Sequence, residues 1–355
     1  MIRIAGSVSK SWLAQAMGAS FDRDYYFDPI RRQAIDRQCN EYVAAQLGHL
    51  PVFYTESNLG RREWYDVHQV LIGGIQPNMI LGMLLGAEFL PTPAADADVA
   101  AHCLAGRAIE SLPPVDSLLS HPLVDLWERQ IRECNQPGTN RLEPIPPFFW
   151  DASGRAAVHG AVTTGLKFWG DEFLLNLVAD PPFCQHAVDW LTDAAALLVR
   201  HFANVSGRTV DCIHVGECAS CMLDVDSFRT FVVPATSRLG QQFGSLRFHS
   251  CGRSDHLIEA CRDIRGLSSL DVGGETSVAR IRAVLGRDFP VGIAPLVEHL
   301  RDASTTGILQ WFARVRDENA DGDLTIGFHF EAGYNLQTII ALHEAVAQAN
   351  EWDNQ

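Results

Sequence analysis

The chain has 355 residues, 47% of them hydrophobic, with 28 Lys and Arg against 43 Asp and Glu and a formal charge of −15. That length and apolar content are enough to bury a large core, as two ordinary domains or one barrel with additions. The acidic balance speaks against a nucleic-acid partner, whose phosphates need Lys and Arg.

The opening MIRIAGSVSKSWLAQAMGAS holds no apolar run of signal-peptide length, and nothing downstream reaches a membrane span, so a cytoplasmic protein is expected. Nine scattered cysteines fit reduced thiols better than a disulfide framework. Residues 1–44 read as an N-terminal helical extension, with helical spacing over 23–47. Pro51 then switches the chain to an extended stretch, PVFYTES, expected as the first strand. Arg61 and Arg62 follow it, as an anion clamp or a solvated surface pair. Asp66, His68 and the nearby glycines suggest a corrinoid-binding D-x-H-x-x-G signature, but Leu71 stands where its glycine belongs, and an ordinary helix and loop is the better reading.

Residues 111–154 are rich in proline and form a long insertion with one short helix around 123–134, placed to cover part of an active site. Beyond it, AAVHGAVTT, TVDCIHVGEC, SLRFHSCG, GLSSLDVGG, FPVGIAPLV and DLTIGFHFE are strand-like, each followed by an amphipathic stretch. This alternation of parallel βα units predicts a (β/α)8 TIM barrel over 45–355, with an open doubly wound sheet as the alternative.

Three of these strands carry chemistry. In SLRFHSCG, side-chain alternation puts Arg247, His249 and Cys251 on one face, and Gly252 allows a tight exit, leaving two metal-ligand types at the strand's carboxyl end. In DLTIGFHFE, His329 and Glu331 lie on the polar face and are candidates to complete a three-ligand site with an open fourth position. In TVDCIHVGEC either face can look inward: one carries Cys212, His214, Gly216 and Cys218, the other Ile213, Val215 and Glu217. Glu217 is the candidate general acid/base or displaceable ligand. Cys218 and Cys221 have C-x-x-C spacing without a second such pair, which disfavours a structural zinc or thioredoxin-like role. Asp271, turned inward by alternation with Leu270 and Val272, and Glu275 are candidates for substrate contact.

The succession VHGAVTTGLKFWGDEFLLNLVADPPF, VGECASCMLDVDSFRTFVVPATSRLG, FHSCG and GFHFEAGYNLQTIIALHEAV resembles the uroporphyrinogen decarboxylase superfamily over about residues 45–350, most closely after Val158. The H-x-C-G at His249 to Gly252 is similar to the zinc half-site of its corrinoid-linked methyltransferases, including those acting on coenzyme M. The decarboxylase branch has R-Q-A-G-R after the first strand and F-S-D after the second; here YTESNLGRR stands at the first place and no F-S-D occurs. The methyltransferase branch takes a third zinc ligand from a cysteine after a glycine at the end of the last strand. Phe328 follows Gly327 here, and no cysteine comes after Cys261, so either His329, Glu331, Glu217 or Cys218 supplies that ligand or the metal site is lost.

The resemblance implies a methyl or alkyl transferase with zinc or another divalent metal, a small thiol or methylated substrate, and a corrinoid carried by a separate protein. It also implies a possible homodimer. A decarboxylase or lyase, or a barrel that only binds, is the alternative.

Overall fold

The structure is a computed structural model, and it describes residues 1–48, 50, 53–54, 69–136, 142–150 and 153–352. Its strands are β1 (Ile2–Val8), β2 (Phe53–Tyr54), β3 (Gln69–Leu71), β4 (Phe89–Leu90), β5 (Asp98–Val99), β6 (Glu143–Ile145), β7 (Arg155–His159), β8 (Cys212–Gly216), β9 (Leu246–Ser250), β10 (Leu267–Gly273), β11 (Val291–Ala294) and β12 (Leu324–Phe330). Eight of them form one curled parallel sheet in the order β2-β1-β12-β11-β10-β9-β8-β7. β3 pairs in parallel with β6, and β4 pairs with β5 antiparallel.

The six strands expected in the second half of the chain are β7 to β12, with helices between them as parallel crossovers require. Sequence sets the helix limits locally. The long helix Pro181–Ser206 starts at Asp180, whose carboxylate accepts the Phe183 N–H, and stops at Gly207 in the left-handed region. Helix Pro29–Leu47 starts in the same way at Asp28.

Parity along each strand decides which side chains meet the helices. Leu246 and Phe248 of β9, Ile213 and Val215 of β8, and Leu324 and Ile326 of β12 are buried there, and Arg247, His249 and Thr325 point the other way, half-buried. The apolar members of this set belong to the core between sheet and helices.

Two expectations change. No ladder joins β7 to β2 among the described residues, so the sheet has the parallel order and the helices of a TIM-type barrel without the closure predicted for it. The insertion partly fills that side, because Phe149 bridges Ala156 and the Ala157 N–H donates to the Phe148 carbonyl at 2.7 Å. The N-terminal extension is also not simply helical. It begins with β1, which pairs with β12 along seven residues and with β2 on its other side. IRIAGSV is a short alternating run with no turn before it, and it gains its partner only from the far end of the chain.

Of the expected first strand at 51–57, Phe53 and Tyr54 are described and form β2. Arg61, Arg62, Asp66 and His68 lie outside the described residues. No described helix is long and apolar enough to cross a membrane.

Candidate metal centre

β8 and β9 are adjacent parallel strands in which Gly216 pairs with His249. Extended by two residues, this register sets Cys218 beside Cys251, one beyond each strand end, where neighbouring strands are about 4.8 Å apart. The ligand atoms of Cys218, His249 and Cys251 all lie within 4.8 Å of one another. Donors on one tetrahedral ion sit about 3.5–3.8 Å apart, a distance that modest side-chain rotation reaches. Two thiols and an imidazole suit a borderline-soft divalent ion such as zinc better than magnesium or calcium.

His249 is held from behind. Its Nδ1 donates to Asp271 Oδ2 at 2.8 Å, and the same oxygen accepts from Arg247 Nη2 at 2.9 Å. Asp271 is the cross-strand partner of His249 on β10, so the contact follows from sheet register. With Nδ1 committed, Nε2 is left to act as a ligand, the usual carboxylate–histidine–metal arrangement.

The charges are arranged to match. Burial lowers the His249 pKa, but the hydrogen bonds to Asp271 and Cys251 and their charges outweigh it and lift the imidazole to about 9. The Cys218 thiol and then His249, both hydrogen-bonded to Cys251, bring that thiol down to about 4, and Cys218 is raised in return. Burial opposes the Asp271 carboxylate, yet the His249 hydrogen bond and the Arg247 charge hold it below the ordinary carboxylate range. Without a metal these shifts favour a thiolate beside a charged imidazole, and a divalent cation would take the place of protons at the same donors.

The third member of the cluster is Cys218, not a residue of the last strand. The His329 Nδ1 is hydrogen-bonded to the Ser7 hydroxyl, and Glu331 Oε2 accepts from the Ser11 hydroxyl at 2.5 Å, so both are engaged at the seam between β12 and the N-terminal segment. β10 and β11 separate β12 from β9 in the sheet, and neither residue joins the cluster.

Beside the centre is a cavity of about 340 Å³. The sheet contributes Ala157, His159, His214, Gly216, Cys218, His249 and Asp271 to its lining. Ile72 and residues 146–150 of the Pro-rich insertion form the facing wall, so the insertion lies over part of this cavity. Arg32 and Gly74 also line it. The Arg32 guanidinium is almost fully buried, bonded to Asp36 at 3.3 Å and to the Gly74 carbonyl at 3.3 Å. Gly74 has φ +42°, and a Cβ there would fall 1.8 Å from Arg32 Nη1.

No known family's sequence profile matches the chain, and no curated protein matches it. A solved structure of a methyltransferase from Methanosarcina mazei superposes with a TM-score of 0.65. The two proteins share a fold. The match covers 98% of this chain and 94% of the other at 14% identity.

Glu217, expected as general acid/base, lies on the opposite side of β8. Its Oε2 accepts from the Val162 N–H at 3.2 Å, and its Oε1 accepts from the N–H and hydroxyl of Thr163, each at 2.6 Å. It therefore caps helix Ala161–Trp169, whose own N-cap, Gly160, has no side chain to do so. Gly160 is required there, since a Cβ would stand 1.9 Å from Glu217 Oε2. Glu275 is exposed and does not line the cavity. Cys221 Sγ points at the Cys218 carbonyl, 3.2 Å away.

Sequence reasoning passed over His159 and gave His214 no role, although both line the cavity. Their only signal was position, since each lies at or near the carboxyl end of a strand, and parity alone does not tell which face of β8 turns inward.

Proposed function

We propose that this protein is a metal-dependent methyl or alkyl transferase acting on a small thiol or methylated molecule, with zinc as the first candidate metal. We further propose kinship with the methyltransferase branch of the uroporphyrinogen decarboxylase superfamily, and a corrinoid supplied by a separate protein. The observation that carries this reading is the convergence of Cys218, His249 and Cys251 at the carboxyl ends of two adjacent parallel strands, with His249 fixed by Asp271. The shared fold of the Methanosarcina mazei methyltransferase agrees with it.

Cys218, His249 and Cys251 would hold the ion and leave it open to a substrate. Bound there, it would supply Lewis acidity toward a thiol or a methylated group. The protein's own part is placement. Asp271 keeps His249 in one tautomer and orientation, and Phe148, Phe149 and Trp150 give the cavity an apolar wall. Cys251 is exposed, which puts the centre at the mouth, within reach of a partner protein. A corrinoid is several times too large for a 340 Å³ cavity and has to approach from that side.

The same volume disfavours a porphyrinogen, and among the described residues lining the cavity Arg32 is the only Lys or Arg to meet its four carboxylates.

Metal analysis tests the proposal. Protein purified without chelator is expected to hold about one equivalent of zinc or a similar ion per chain. Cys218→Ala, His249→Ala and Cys251→Ala should each lose most of it, with His329→Ala and Glu331→Ala unchanged. Equal metal content across all five variants and the wild type would overturn the assignment.

A further inference from the structure

We propose that the cavity floor above Gly216 is an oxygen-binding cradle, in which His159 and His214 each donate one N–H to a single acceptor oxygen of a flat, ring-sized substrate. The inference rests on the transferase reading only in placing that oxygen next to the reacting group.

β7, β8 and β9 are consecutive in the sheet, and their registers set His159, Gly216 and His249 in one row. His214 lies two residues below Gly216 on the same face of β8. Gly216 leaves the space between them open: a Cβ on it would be 3.8 Å from His159 Cδ2 and 4.0 Å from His214 Nε2. Any small atom above Gly216 is therefore within reach of both rings.

Hydrogen-bond accounting fixes what those rings offer. His159 Nδ1 accepts the Asn78 N–H at 3.5 Å, so the ring proton is on Nε2. Neither nitrogen of His214 has a partner among the described residues, and its Nδ1 is sealed from solvent. A buried N–H with no acceptor is rarer and costlier than an unused lone pair, which puts the His214 proton on Nε2, beside the Gly216 space. His214 is only 5% exposed and packs on Trp150 with ring centroids 4.4 Å apart. His249 is already committed to Asp271. Two N–H donors thus border one space, and no described residue offers His214 Nε2 an acceptor there.

The remaining walls define the body of the ligand. Phe148, Phe149, Trp150 and Ile72 offer flat apolar surface. A cavity of about 150 Å³ is known to hold benzene, so 340 Å³ admits one ring with short substituents. The oxygen can belong to a methyl ether or to a carboxylate, both of which only accept.

Calorimetric titration of the full-length protein with phenyl methyl ether and with benzoate tests the cradle. At least one probe should bind the wild type saturably, and the one that does identifies the oxygen. Gly216→Ala fills the space with a methyl group at ordinary contact distances and should weaken binding about tenfold or more. His214→Phe and His159→Phe should each cost about five- to tenfold, and His214→Gln should recover part of that loss through its amide N–H. Binding by Gly216→Ala equal to wild type, or no saturable binding of either probe, would overturn the cradle. Metal content measured on the same samples keeps the two readings apart, because a metal-free wild type that still obeys this binding pattern would sink the transferase reading alone.

Discussion

His249 is the residue on which the centre turns. Its Nδ1 hydrogen bond to Asp271 fixes the tautomer, and its hydrogen bond to Cys251 lowers the pKa of that thiol. Replacing Asp271 by Asn keeps shape and size but removes the charge that selects the Nδ1–H form. Asp271→Asn is expected to lower metal affinity about 10- to 100-fold with the fold intact, as read by competition with a chromophoric chelator. An affinity equal to wild type would make Asp271 only the partner of Arg247. The His249 and Cys251 pair was legible in the sequence because Leu246 and Phe248 are plainly apolar and the opposite parity is plainly polar. Cys218 was legible only as one of four candidates for the third place, because β8 offers Cys, His and Gly on one face against Ile, Val and Glu on the other, and neither face declares itself. Packing decides it: Ile213 and Val215 go under the helices, and Glu217 has to follow them.

At the scale of elements, that forced placement gives Glu217 its structural role. Helix Ala161–Trp169 begins at a glycine and takes its cap from the neighbouring strand, so Glu217→Ala should cost about 1–2 kcal/mol. Burial raises the carboxyl from 4.5 to about 7 against the pull of its hydrogen bonds to Thr163 and Val162. The folded protein then keeps a proton that the unfolded chain releases above pH 4.5. The resulting stabilisation is complete below that pH and fades as pH rises to about 7. Denaturant unfolding of wild type and Glu217→Ala across this window should show their difference shrinking toward neutrality; a constant difference would mean that Glu217 is ionised throughout. The strands β7 to β12 were readable because each is short, alternating and bounded by turn residues. The identity of a cap supplied from a different element leaves no such local trace.

For the whole molecule, the consequential misreading concerns the first eight residues. An extension that merely packs against a barrel is dispensable, whereas a strand with a neighbour on each side is not. β1 lies between β2 and β12, contributes the buried side chains of Ile2 and Val8, and ties Ser7 to His329. The Ile2 N–H also donates to Asn350 at 2.9 Å, and Asn350 donates back to the Ile2 carbonyl at 2.8 Å, so β1 fastens the C-terminal helix as well. Deleting residues 1–8 would leave the N–H and C=O groups of one side of β12 without their ladder and expose an apolar edge prone to pairing between chains. The truncated protein should be insoluble or lack a cooperative thermal transition, even though the deletion touches none of Cys218, His249 and Cys251. Soluble yield, a thermal melt and metal content measured together check this. A truncated chain that melts cooperatively and keeps its metal would show that the sheet holds together without β1, and that the N-terminal segment is the appendage its sequence first suggested.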